Sequence, residues 1–78
     1  MPRKRTPFRR YLLCVNNEGY PASLEMRKVY RRLRDPKAAA HGFVRVIDES
    51  GEDYLFPESF FVPVELPRAA VTMFAETA

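Results

Sequence analysis

Four sets of residues in this sequence carry reactive or charged chemistry: one thiol, one imidazole, a block of acids and a block of bases. Cys14 is the only cysteine and His41 the only histidine in 78 residues. A nucleophilic thiol needs an imidazole or a cation beside it to hold it as thiolate. Cys14 lies instead inside the apolar run YLLCV, where a thiol packs as a small hydrophobe, and His41 stands between Ala40 and Gly42 at an expected helix end. No catalytic residue is assigned on this pattern. One Cys and one His match no zinc spacing. Asp48, Glu49, Glu52 and Asp53 have the composition of a calcium loop without its twelve-residue ligand spacing, and they read as the solvated tip of a hairpin. Neither GxxxxGK[ST] nor GxGxxG occurs, and three glycines in all do not build a phosphate loop. The expectation is no metal, no cofactor and no enzyme.

The bases are more informative. Arg27, Lys28, Arg31, Arg32, Arg34 and Lys37 fall within eleven residues that contain one acid, Asp35. Five more bases occupy residues 1–10, while 48–58 reverses the sign with Asp48, Glu49, Glu52, Asp53 and Glu58. A cationic strand face can carry a phosphate backbone while nearby aromatics stack on bases. Arg27, Lys28, Tyr30, Arg31, Arg32 and Arg34 form the expected RNA- or DNA-contact set on that reading, with Tyr11 or Phe8 adjoining the basic arm. The competing reading is a solvated face whose arginines pair with the acidic hairpin, each exposed pair worth about 0–1 kcal/mol. The net charge of only +3 suits that second reading.

The elements that must position these residues follow from turn and strand chemistry. Residues 1–8 read as a flexible basic arm, 9–66 as one domain and 67–78 as a tail. RYLLCV is β-prone with both faces apolar, as in a central strand. Asn16, Asn17 and Gly19 supply a turn, and Tyr20-Pro21 keeps the chain extended. ASLEMRKVYRRLRD suits a helix capped by Ser23, with Met26, Val29, Tyr30 and Leu33 at helical spacing. It also suits a strand from about Lys28 to Arg34, with Val29 and Leu33 on one face and Tyr30 on the other. DPKAAAHG predicts a short helix, with Asp35 as N-cap, Pro36 at N1 and Gly42 just past the end. FVRVID and EDYLF form a hairpin about Glu49-Ser50-Gly51, with Val44 and Val46 on one face of the first strand. After a tight turn at Pro57-Glu58-Ser59 comes a last strand, FFVPVEL, with Phe60, Val62 and Val64 on one face and Pro63 confining it to an edge. The tail predicts a short C-terminal helix docking through Val71 and Phe74.

LFPESFFVPV resembles the step by which SH3 domains leave their fourth strand, make one 3₁₀ turn and enter the fifth. More broadly, YPASLE, RKVYR, RVIDESGEDYLFP and FVPVELP over residues 11–67 resemble a family of small bacterial SH3-like proteins of no assigned function. The resemblance implies a mostly β fold: an SH3-like small five-stranded barrel with a short helical insert. It also implies a strand at RKVYR, although Arg32 stands where an apolar residue is expected. Of the polyproline groove of SH3 domains, Pro57 and Phe60 match the proline and aromatic of the exit step and Tyr20 lies in the long first loop. Tryptophan is missing altogether. Tyr20, Pro57 and Phe60 are therefore the expected partner groove, without proline-rich recognition.

The lone cysteine suits a reducing compartment. No apolar run nears the ~20 residues of a membrane span, and the basic N-terminus lacks the apolar core of a signal peptide. The expected protein is soluble and cytoplasmic, a monomer or weak homodimer with no membrane contact. Its expected role is an SH3-like interaction module for a protein partner, with nucleic-acid binding as the alternative.

Overall fold

Backbone pairing resolves the ambiguous middle of the chain in favour of a strand. The computed structural model describes residues 8–77, with side chains through Met73. It contains strands β1 (Tyr11–Cys14), β2 (Val29–Leu33), β3 (Phe43–Ile47), β4 (Asp53–Pro57) and β5 (Phe61–Val64). Helix α1 (Pro36–Ala40) links β2 to β3, a 3₁₀ turn (Glu58–Phe60) links β4 to β5, and helix α2 (Arg68–Thr77) follows β5. The arm expected over residues 1–8 lies outside the described residues except for Phe8, and so does the side chain of Phe74.

The five strands form an antiparallel sheet in the order β4-β3-β2-β1-β5. β2 changes partner along its length. Val29, Tyr30 and Arg31 pair with β1, whereas Arg32 and Leu33 pair with β3. Ladder bonds on both sides outweigh the mild helical propensity of the segment. Where β1 meets β2, Arg27 N–H donates to Cys14 O and Cys14 N–H donates to Lys28 O, both at 2.8 Å. Two residues thus oppose one, and Arg27 has φ 67°, the mark of a β-bulge with a left-handed residue. β4 and β5 are the two edges and no ladder closes the sheet between them. Pro57 and Pro63, one in each edge strand, cannot donate to such a ladder.

The core comprises Leu12, Cys14, Leu24, Tyr30, Val44, Val46, Phe56 and Phe61, with Phe60 packed against it. Leu12 with Cys14 and Val44 with Val46 show the alternation expected of half-buried strands. The outer face of β1 is only half covered, and Val15 is exposed, so the strand is less fully apolar-packed than its sequence suggests. In β5 the inward residue is Phe61. Val62 is exposed and Phe60 belongs to the 3₁₀ turn, which shifts the strand's facing by one residue from the sequence expectation. Edge-to-face contacts connect Tyr20 to Phe56 (5.2 Å), Phe56 to Phe61 (6.3 Å) and Phe61 to Tyr30 (6.5 Å). Each such pair adds about 0.5–1.5 kcal/mol beyond area burial.

The turns follow their local chemistry. Asp35 accepts from Ala38 N–H at 3.1 Å as the cap of α1, and Gly42 (φ 81°) releases the chain into β3. Gly51 (φ 86°) closes the β3–β4 turn, where the buried Asp48 accepts from Ser50 N–H at 2.8 Å. The acids of this turn are engaged individually: Glu49 with Lys28 at 2.6 Å, Asp53 with Arg45 at 3.0 Å, and Glu52 with Tyr54 at 3.0 Å.

One network ties the long first loop to this turn. The Tyr30 hydroxyl donates to Glu49 and accepts from Glu25 N–H at 2.7 Å, and Glu49 N–H donates to Ser23 O at 3.0 Å. The hydrogen bonds from Lys28 and then Tyr30 hold Glu49 below the ordinary carboxylate range. Asp35 is lowered too, by its Ala38 N–H bond and then by Arg45. Burial and then Glu49 push the Tyr30 hydroxyl well up, and burial raises the Cys14 thiol. A depressed carboxylate stabilises the fold above its unfolded pKa of about 4 and loses that contribution as pH falls through the lower folded value. Raised Cys and Tyr groups stabilise below their unfolded values of about 8.5 and 10 and lose it as pH rises through the folded ones. Thermal melts should therefore plateau between about pH 5 and pH 8 and fall on either side. Glu49→Gln should flatten the acid limb, and an unchanged acid limb in that variant would contradict the network.

Candidate nucleic-acid interface

The β1–β2 ladder sets the register Tyr11↔Arg31, and Arg32 N–H donates to Arg10 O at 2.6 Å. This pairing brings Arg10 beside the end of β2. Phe8, two residues earlier, lies among the same guanidinium groups. Arg34 Cζ is 4.1 Å and Arg32 Cζ 4.8 Å from the centre of the Phe8 ring. Stacking on an aromatic ring fixes the guanidinium planes while leaving their N–H edges free to donate. Phe8, Arg10, Arg31, Arg32, Leu33 and Arg34 line a groove of about 450 Å³.

Among the described residues no carboxylate pairs with Arg10, Arg31, Arg32 or Arg34. The ion pairs lie elsewhere: Arg9 with Glu65, Lys28 with Glu49, and Arg45 with both Asp35 and Asp53. The pairing expected between the basic block and the acidic hairpin is thus met by Lys28 but not by the arginines of β2. Four like charges lining one groove repel one another, and an anionic ligand would relieve that repulsion.

Of the sequence-expected contact set, Arg31, Arg32 and Arg34 come together in this groove and the other three do not. Arg27 occupies the bulge position and Lys28 is held by Glu49. Tyr30 is a core residue, 4% exposed, because strand alternation turns its ring inward and its hydroxyl is committed to Glu49 and Glu25, so it offers no stacking face. Arg10 is the member that sequence reasoning missed. Its place depends on strand register, for which the only sequence signal was its position just before the β-prone run.

Arg32 also lines a second pocket, of about 410 Å³, with Leu12, Val44, Glu58, Ser59, Phe61 and Pro63. This pocket adjoins β5 and the 3₁₀ turn. Strand alternation puts Arg32 on the same face as Tyr30, which explains why a charged residue stands where an apolar one was expected. Its stem lies against the core and its head emerges at Phe8. The Arg32 Nε is buried and has no hydrogen-bond partner among the described residues.

The expected partner groove is only partly assembled. Tyr20 and Phe60 meet at 6.1 Å between ring centres. The groove of about 350 Å³ beside Tyr20 is lined by Ser23, Asp48, Ser50, Tyr54, Leu55 and Phe56, and neither Pro57 nor Phe60 lines it. The thiol of Cys14 is buried and bonded to Asn16 O at 3.4 Å, while His41 is exposed at the end of α1. No helix among the described residues is long and apolar enough to cross a membrane.

No protein-family model, curated protein or solved structure matches this chain.

Proposed function

We propose that this chain is a non-enzymatic SH3-like small-barrel binding module whose ligand is single-stranded nucleic acid. The order of strand, long loop, strand, helical insert, strand, tight turn, strand, 3₁₀ turn, strand supports the SH3-like part of the reading. The observation that carries the ligand is the groove lined by Phe8, Arg10, Arg31, Arg32 and Arg34, in which Arg32 and Arg34 lie over the Phe8 ring and none of the four arginines has a carboxylate partner among the described residues. Guanidinium N–H edges take phosphates, and a guanidinium plane backed by an aromatic ring can itself carry an unpaired base. A duplex hides its base faces, so a single strand fits this surface better.

The test is the salt dependence of binding to a fluorescent oligonucleotide. Four phosphates neutralised on a single strand give a log–log slope of about −3, or about 50-fold weaker binding at 200 mM than at 50 mM salt. No binding at 50 mM salt to single-stranded RNA or DNA would remove this reading. Tyr54→Ser, in the other groove, serves as the control that leaves the slope unchanged.

A second reading, docking of a protein partner, is favoured by the groove beside Tyr20. There Tyr20, Tyr54 and Leu55 are each 41–49% exposed next to the free edge of β4. Such an edge can take an added strand from a partner.

A further inference from the structure

The pocket beside the arginine groove has the chemistry of a base site. We infer that it receives one guanine of the single strand whose phosphates lie across the arginine groove; this rests on the nucleic-acid reading above. Three observations lead to it. Arg32 lines both cavities, so the groove and the pocket adjoin at this residue. The pocket holds about 410 Å³, within the roughly 300–1,000 Å³ of small-ligand sites, and its apolar wall includes Leu12 and Phe61. The Arg32 Nε is a buried donor left without a partner among the described residues, and such orphans are rare in folded proteins.

The polar groups select the base. The Arg32 guanidinium carries adjacent donors and the Glu58 carboxylate paired acceptors, and both residues line the pocket. Among the four common bases, guanine alone offers an adjacent pair of acceptors, O6 and N7, together with an adjacent pair of donors, N1–H and N2–H. An arginine and a carboxylate lining one cavity offer partners for both edges. Uracil offers one donor between two separated acceptors and satisfies neither partner fully. The ring faces lie against apolar side chains, as they do where proteins hold splayed bases.

The experiment compares oligouridine with the same strand carrying one central guanosine, both at 100 mM salt. The guanosine strand should bind about tenfold tighter or more. Glu58→Gln should abolish most of that difference while leaving oligouridine affinity and its salt slope in place. Glu58 is exposed, so the variant keeps the fold. In the wild type, 5′-GMP but not 5′-UMP should shift the Arg32 Nε–H resonance. Equal affinity for the two strands, or a preference that survives Glu58→Gln, overturns the base site while leaving the phosphate groove standing. Failure of both strands to bind even at 50 mM salt overturns the groove and the base site together.

Discussion

Replacing Arg31 and Arg34 with serine should lower affinity for single-stranded oligonucleotide about 25-fold at 0.1 M salt and roughly halve the salt slope. Both residues line the Phe8 groove and neither makes an ion pair among the described residues. Each guanidinium that displaces a counterion from a single strand contributes about 0.7 to the slope, so two account for about 1.4 of the expected 3. The fold should survive, because Arg34 is exposed and Arg31 is paired through its backbone to Tyr11. Adding Phe8→Ala removes the ring that backs the Arg32 and Arg34 guanidinium groups and should cost a further ~1–3 kcal/mol, the scale of aromatic truncation at single-strand sites. Arg27→Ser/Lys28→Ser is the informative comparison. Those residues belong to the same run of bases but lie at the bulge and in the Glu49 network, so their loss should leave the slope near its original value. Titration by fluorescence anisotropy at four salt concentrations separates these variants. Equal losses from the two double variants would mean that general charge, and not the groove, drives binding.

Phe56→Ala should unfold the protein at 25 °C. Phe56 is 2% exposed and its ring bridges Tyr20 and Phe61. Truncating a buried phenylalanine costs about 3–5 kcal/mol. A single core of this size rarely supplies more than about 3–5 kcal/mol of net stability. The two quantities match, so little folding free energy remains. Phe56→Leu keeps most of the volume and should fold with a lower urea midpoint. Glu18→Gln, at an exposed loop side chain, should stay within about 0.5 kcal/mol of wild type. Urea titration followed by circular dichroism measures all three. A wild-type midpoint for Phe56→Ala would show that the aromatic chain is not the core of this fold.

Much of the local structure was legible along the chain. Asp35 and Pro36 starting a helix, Gly42 ending it, Gly51 closing a hairpin and Val44 alternating with Phe43 and Arg45 all depend on neighbours a few residues away. Each is found where those neighbours put it. The facing of β5 departs from simple alternation because the 3₁₀ turn absorbs Phe60, so Phe61 turns inward. Leu24 gave no periodic signal, since it is a loop residue buried by the loop's return to the hairpin through Ser23 and Glu49.

The sequence by itself determined a short β-rich chain, its turns and caps, and a block of arginines near residue 31. Only the tertiary structure decided which of those bases share a surface. Cross-strand register is set by ladder pairing and by the bulge at Arg27, and nothing local specifies it. That register carries Arg10 and Phe8 to Arg32 and Arg34, and it turns Tyr30 into the core and away from any ligand. Local preferences act over a few bonds, whereas a binding surface is made by residues that meet only once distant strands have paired.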